Sequence, residues 1–341
     1  MKIAIHHRPN SASDSWIEYC EKNNIQYKIV DAYANDIIKQ VADCDAFMWH
    51  FHHNIYKDNL FAKQLIYVIE KQLHKITYPD YDTCWHFDDK ICQKYLLESI
   101  NAPLIPKYIF YSRNEALAWN NQTGFPKIFK LRSGAGSNNV QIAENSNHAK
   151  KLIDKSFSSG FQKNKHLLRI VQRWHQFRKG SCTLKWFIKG IVTPYSYKEQ
   201  FYKEEIGYSY FQDFIPNNEF DIRVLVIGNR AVAAKRMNRE NDFRASGSHN
   251  AIFDKKQIDI DYVKTAFDIN KKLKMQSVAF DFLKNQNNEI LISEISYCCG
   301  NKDYSPLGGY WTSDLQWHEC EKINYCDWIM EDVIETIKNC K

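Results

Sequence analysis

Two acidic side chains stand in strongly apolar surroundings near the carboxyl end of the sequence: Asp281 in Phe280-Asp281-Phe282, and Glu294 in Leu291-Ile292-Ser293-Glu294-Ile295-Ser296. The two stretches read as neighbouring antiparallel strands joined by the polar turn Lys284-Asn285-Gln286-Asn287-Asn288. Burying two like charges together is costly unless a cation lies between them. Magnesium, which takes carboxylate and phosphate oxygens, meets that requirement, whereas strand alternation that turns either carboxylate to solvent would remove it. Earlier in the chain the loop Arg132-Ser133-Gly134-Ala135-Gly136-Ser137 has small residues from Ser133 onward. Its glycines are free to take positive φ, so backbone N–H groups can approach phosphates. Lys130 precedes the loop at a strand end, and Lys90 sits near a helix start. An ordinary hairpin turn uses the same residues, so the loop gains meaning only from its company.

A third group is Tyr210-Phe211-Gln212-Asp213-Phe214-Ile215-Pro216, followed by Asp221-Ile222-Arg223. A strand running into proline leaves backbone donors and acceptors unpaired in a ladder, and an adenine edge uses such groups. Arg236 and Arg244 lie beyond, in Lys235-Arg236-Met237 and Asp242-Phe243-Arg244-Ala245-Ser246. Arginines near a phosphate loop stabilise charge on a transferring phosphoryl group. Taken singly, each is as well explained as a surface ion-pair partner.

The elements that must position these groups follow from periodicity. Strands are predicted at 2–6, 26–30, 46–51 and 76–78, with a helix capped by Ser13 or Ser15 running to Lys22 and another over 58–73. This alternation implies a parallel sheet covered on both faces. No G-x-G-x-x-G follows the first strand, so the layout is Rossmann-like without the dinucleotide fingerprint. Asp88 and Asp89 open a helix to Ser99. A strand at 108–111 and a helix at 114–120 follow, then strands at 125–131 and 140–143 flank the small-residue loop as a hairpin. The span 145–207 is least legible, with a helix expected at 148–157 and strands at 168–174 and 184–188. Its Arg173, Trp174, Arg178, Lys179, Lys185, Trp186 and Lys189 fit either contact with an anionic acceptor or a solvated insertion. Strands return at 208–214, 221–227, 230–236, 277–283 and 289–295, with helices at 259–274 and 328–337.

Composition narrows the classes. The 341 residues are 44% apolar and 14% aromatic, enough for a large core and incompatible with a disordered chain. The excess of 46 Lys and Arg over 40 Asp and Glu gives +6, which without a clustered basic patch argues against nucleic acid. No apolar run approaches the roughly 18 residues of a membrane span, and the apolar start is too short for a signal peptide. The expectation is a cytoplasmic protein whose 10 cysteines are free thiols, with Cys298-Cys299 structural. His50, His52 and His53 lack a cysteine or carboxylate at finger spacing and are not read as a metal site.

In combination and order, these motifs resemble the ATP-grasp superfamily, in the branch of the ribosomal S6 modification ligase and glutathione synthetase. The resemblance spans roughly 88–300: Asp89-Lys90, Phe125-Pro126-Lys127-Ile128-Phe129-Lys130, the small-residue loop, Gln212-Asp213-Phe214-Ile215, Asp221-Ile222-Arg223, Asp242-Phe243-Arg244, Asp281 and Glu294. It implies an α/β fold, α+β in the nucleotide-binding half. A Rossmann-like pre-ATP-grasp domain at 1–87 would precede a small central lobe at 88–210 and a carboxyl-terminal lobe with the metal site at 211–341. It implies ATP and magnesium as cofactors, with manganese as an alternative ion.

The resemblance also implies roles. Lys90 and Lys130 would contact nucleotide phosphates, and Ser133, Gly134, Ala135, Gly136 and Ser137 would close over them. Gln212, Asp213, Phe214 and Ile215 would form the adenine hinge, and Asp221 would reach the ribose. Arg236 and Ser246 would belong to the nucleotide site. Arg223 and Arg244 would face the transferring phosphoryl group as catalytic residues. Asp281 and Glu294 would hold the metal. The family's usual Glu-x-Asn is here Glu294-Ile295-Ser296, placing a shorter hydroxyl at the last ligand position.

The implied reaction joins a small-molecule carboxylate to an amine through an acyl phosphate. Relatives with this Glu-Ile-Ser ending resemble enzymes of cell-surface polysaccharide or peptide-conjugate synthesis. An ATP-grasp kinase and a non-catalytic nucleotide-binding module are the competing readings, and a homodimer is compatible with all three. Tyr310-Trp311 and Trp317-His318-Glu319 fit either an acceptor pocket or a capped hydrophobic edge.

Overall fold

A computed structural model describes residues 1–134, 140–161, 174, 204–239, 250–298 and 303–340. The chain forms two compact units, one of Met1–Ile105 with Ile215–Lys341, the other of Pro106–Phe214.

The larger unit begins with four parallel strands: β1 (Lys2–His6), β2 (Gln26–Val30), β3 (Ala46–Met48) and β4 (Ile76–Tyr78), in the order β2-β1-β3-β4. Helices α1 (Ala12–Lys22), α2 (Ile37–Val41) and α3 (Tyr56–Lys71) connect them. The cap of α1 is Ser11, whose hydroxyl accepts from the Ser13 N–H, and not Ser13 or Ser15 as expected. Ser11 precedes the first apolar position, Ala12, and alone has the extended backbone that an N-cap requires. Beyond the short α4 (Tyr81–Cys84), helix α5 (Lys90–Ser99) is capped by Asp89, which accepts from the Ile91 and Cys92 N–H groups.

The same unit carries an antiparallel sheet of β9 (Phe220–Ile227), β10 (Arg230–Met237), β11 (Ala251–Ile252), β12 (Ser277–Lys284), β13 (Ile290–Ser296), β14 (Gly309–Thr312) and β15 (Trp317–Glu319). Its order is β13-β12-β9-β10-β14-β15, with β11 beside β10. Helices α8 (Ile260–Leu273) and α9 (Tyr325–Asn339) pack against it. One apolar core joins the two sheets, running from Trp16 and Tyr78 through Val224, Val278 and Phe280 to Met330. Polar stitching fixes their placement. Tyr78 meets the Ser277 hydroxyl at 2.8 Å, and Gln276 accepts from the Asp80 N–H at 2.8 Å while donating to the Thr77 carbonyl at 2.9 Å. Tyr310 and Trp311 pair with His318 and Trp317 in the β14–β15 hairpin, where Trp311 is buried and Tyr310 packs on Trp328.

The smaller unit is a four-stranded antiparallel sheet in the order β5 (Lys107–Phe110), β8 (Ser209–Asp213), β6 (Lys127–Lys130) and β7 (Val140–Ala143). Helices α6 (Arg113–Asn120) and α7 (Ser146–Ser156) share a core with its Phe129 and Phe211. The strands expected at 168–174 and 184–188 lie outside the described residues, apart from the exposed Trp174.

Candidate active site

In the larger unit, strand register assembles one row of charge. Asp281 on β12 stands opposite Arg223 on β9 and opposite Glu294 on β13. Arg236 on β10 stands opposite Asp221. Asp221 and Arg223 are two residues apart, so all five side chains leave the same face of the sheet. The alternate positions Phe280 and Phe282 stack on each other in the core, 5.6 Å between centroids. A bulge lies between the pairings Asp281–Glu294 and Phe282–Ile292. It lets Glu294 share the Asp281 face while Ile292 and Ile295 stay buried.

The carboxylates are held by cations. Arg223 donates to both Asp281 oxygens at 2.7 and 2.8 Å, and Arg236 reaches Asp281 at 2.8 Å. Arg236 also donates in bidentate fashion to Asp221, at 2.6 and 2.5 Å. Burial pushes the Asp281 carboxyl up, but Arg223 and Arg236 outweigh it and hold the group well below the usual carboxylate range. Asp221 is displaced the other way, because burial outweighs Arg236 there. Lys90, the first residue of α5, reaches Glu294 at 3.1 Å. Burial lowers the Lys90 pKa, yet Glu294, Asp88 and Asp89 together raise it further, so the ammonium stays charged.

Local structure explains this reach. The N–H of Ile292 donates to the Pro103 carbonyl at 2.7 Å, and that of Ile105 to the Ile292 carbonyl at 3.3 Å. Gln93 on α5 accepts from the Ile295 N–H. These contacts dock α5 along β13. Ser296, two residues beyond Glu294, donates its hydroxyl to the Cys298 carbonyl at 2.7 Å, which leaves the oxygen's lone pairs as its remaining coordinating capacity.

In the smaller unit, Lys130 donates to Gln212 at 2.7 Å, and both are buried. Lys127 pairs with Asp213 at 2.5 Å beneath the Tyr108 ring. The register Lys127–Asp213, Ile128–Gln212 puts these two pairs on opposite faces of the sheet. The expected hinge residues Gln212 and Asp213 therefore present their side chains in opposite directions, and Phe214 and Ile215 follow the strand end half-buried. Ser133 donates to the buried Glu205 at 2.5 Å, and Tyr208 donates to the same carboxylate at 2.8 Å. Gly134 has φ 113°, the conformation for which glycine was expected. Ala135, Gly136, Ser137, Arg244 and Ser246 lie outside the described residues.

Residues 197–306, which include all five residues of this charge row, match the family model of the RimK-like ATP-grasp domain. Compared as a whole, the structure aligns with D-alanine–D-alanine ligase from Bacillus anthracis at TM-score 0.58 and 13% identity, covering 100% of both chains. The chain has the ATP-grasp fold. A RimK-domain ATP-grasp protein from Sphaerobacter thermophilus aligns at TM-score 0.52 and 12% identity, over 86% of this chain and 90% of that one. The ATP-grasp ligase PsnB, solved with a minimal precursor, magnesium and ADP, aligns at TM-score 0.56 and 10% identity, over 99% and 98%. No curated protein sequence matches the chain.

Within this ATP-grasp fold, three polar residues stand out that sequence reasoning had not assigned. Lys127 was visible inside the Phe125–Lys130 motif, and its place opposite Asp213 became definite only with the strand register. Glu205 falls at the end of the illegible span, and Tyr208 opens the predicted strand 208–214 without a signal of what its hydroxyl would meet. Their role, fixing Arg132 and Ser133, depends on contacts more than seventy residues distant in sequence.

Proposed function

We propose that the chain is an ATP-dependent carboxylate–amine ligase. A substrate carboxylate oxygen attacks the γ-phosphorus of ATP and ADP departs, giving an acyl phosphate. An amine nitrogen then attacks the carbonyl carbon, phosphate leaves, and the amine's proton passes to solvent. No protein nucleophile is required. Catalysis rests on positioning and on offsetting charge.

The observation that carries this reading is the row Arg236, Asp221, Arg223, Asp281, Glu294, with Lys90 on Glu294. Magnesium fits the donor set. Among the described residues no three His, Cys, Asp or Glu side chains cluster as an all-protein cage. Two adjacent carboxylates and a hydroxyl instead supply hard oxygens, and this ion is commonly held by one or two carboxylates together with substrate phosphates. When bound it would supply charge neutralisation at the phosphates. Asp281, Glu294 and Ser296 are the residues that would hold it. Arg223, Arg236 and Lys90 would exchange part of their carboxylate pairing for phosphate oxygens. Lys130 and Gln212 keep the nucleotide-contacting roles that the resemblance implies. Arg244, Ser246 and the loop Ser133 to Ser137 keep the roles the resemblance implies.

The test is ADP release across a pool of small acids and amines with magnesium and ATP, repeated with hydroxylamine. Trapping of a hydroxamate supports the acyl phosphate. ADP release with a phosphorylated alcohol as product would establish a kinase, and no release with any pool would refute turnover.

A further inference from the structure

Both oxygens of Asp221 are turned to one guanidinium. Oδ1 accepts from Arg236 Nε at 2.6 Å and Oδ2 from Arg236 Nη2 at 2.5 Å, and the carboxylate side chain is 13% exposed. The two residues stand directly opposite each other on β9 and β10, so strand register sets the pair. The resemblance places Asp221 at the ribose. A carboxylate serving that sugar accepts from its hydroxyls, whereas each Asp221 oxygen here accepts from an arginine.

The other side of the pair is still open. Asp221 takes the Nε–Nη2 edge of Arg236, and Nη2 also reaches Asp281 at 2.8 Å. Nη1 makes no hydrogen bond to the described residues and is not sealed from solvent. A guanidinium is a rigid planar fork, so gripping one edge fixes the direction of the remaining N–H groups. Nη1 therefore offers two donors, in a direction set by Asp221, on the sheet face that also carries Arg223, Asp281 and Glu294.

The two arginines of the row differ in this respect. Arg223 spends its Nε and Nη2 on Asp281, a carboxylate that a metal would claim. Arg236 spends the same edge on Asp221, which is not one of the metal candidates. Arg236 can keep this partner while Nη1 donates to a ligand. A buried arginine, here with a 6% exposed side chain, is costly without a counter-charge, and Asp221 supplies one that does not depend on the state of Asp281. We propose that Asp221 is a positioning residue and not a ribose contact: it holds Arg236 so that Nη1 donates to a phosphate oxygen of the nucleotide. This rests on the nucleotide site of the ligase reading above.

The test displaces a fluorescent ATP analogue from the full chain with two parts of the nucleotide. Adenosine has the ribose without phosphates, and magnesium tripolyphosphate has phosphates without the ribose. Asp221→Asn should weaken tripolyphosphate about tenfold and leave adenosine unchanged. Weaker adenosine with unchanged tripolyphosphate would make Asp221 a ribose residue, and equal weakening of both would make its role merely structural. Either result overturns the proposal, as does a wild-type chain that does not bind tripolyphosphate. Arg236→Gln should weaken tripolyphosphate at least as much, and adding Asp221→Asn to it should weaken it no further, since nothing is left to position. A further loss of about tenfold would overturn the proposal. The double variant leaves neither member of the pair as an unpaired buried charge, so it carries the test if Asp221→Asn alone fails to fold. Adenosine affinity equal to wild type then supports the proposal, and weaker affinity overturns it. No turnover is needed, so the role of Asp221 is decided even if no acid–amine pair releases ADP, a result that would refute the ligase reading alone.

Discussion

Asp281 and Glu294 face each other directly across neighbouring antiparallel strands, and the arginine opposite Asp281 on its other side already neutralises one of them. The pair is asymmetric. Asp281 is 8% exposed and bound by two guanidinium groups, whereas the Glu294 side chain is 37% exposed and meets Lys90.

That asymmetry separates stability from activity. Asp281→Asn leaves Arg223 and Arg236 short of their counter-charge, and breaking a buried pair in this way costs about 3–5 kcal/mol. Glu294→Gln should cost only about 1 kcal/mol, as expected for a partly exposed pair. Both should abolish ADP release. Urea unfolding beside the ADP assay measures the contrast, and a Glu294→Gln variant with full turnover would remove that residue from the metal site.

Acid should act through the same carboxylate. The Asp281 pKa is depressed on folding because Arg223 and Arg236 outweigh its burial. Its contribution is therefore present above the unfolded carboxylate value of about 3.9 and lost as pH falls through the lower folded one. Asp221, raised by burial, has the opposite sign: its contribution is present at low pH and lost as pH rises. Wild-type stability should fall between pH 5 and pH 2 (roughly the carboxylate range), and Asp281→Asn should lose less over the same interval. Urea midpoints across that range give the comparison.

Lys90 remains an ammonium because Glu294, Asp88 and Asp89 more than offset its burial. Lys90→Met should raise the Kd for MgATP about tenfold or more, the value of one charge-assisted hydrogen bond. Calorimetric titration would detect it, and unchanged affinity would remove Lys90 from the phosphate site.

The smaller unit offers a second separation. Ser133→Ala takes a donor from buried Glu205 and should destabilise the protein by about 1–3 kcal/mol, read as a lowered urea midpoint. Lys130→Met should weaken ATP binding about tenfold, which a fluorescent-nucleotide displacement assay would read.

Much of the fold was legible in local pattern. Period-two alternation marked β9, β10, β12 and β13 to within a residue or two, and Asp88 and Asp89 announced α5 by placing acidic charge at the positive end of its dipole. The cap of α1 was misplaced because three serines within five residues have the same chemistry, and only Ser11 has the extended backbone. The candidate site residues were legible as types in an order, since carboxylates in apolar strands and a glycine-bearing loop are unusual whatever surrounds them.

The sequence by itself determined which residues carry charge, which strands alternate, and that Asp281 and Glu294 would lie on neighbouring strands of one hairpin, whereas the bulge that sets them opposite each other came only with the structure. Tertiary structure decided which charges neutralise which. Arg223 reaches Asp281 from a strand fifty-eight residues earlier. Pairings over such separations depend on strand order and inter-strand register, which no local periodicity encodes.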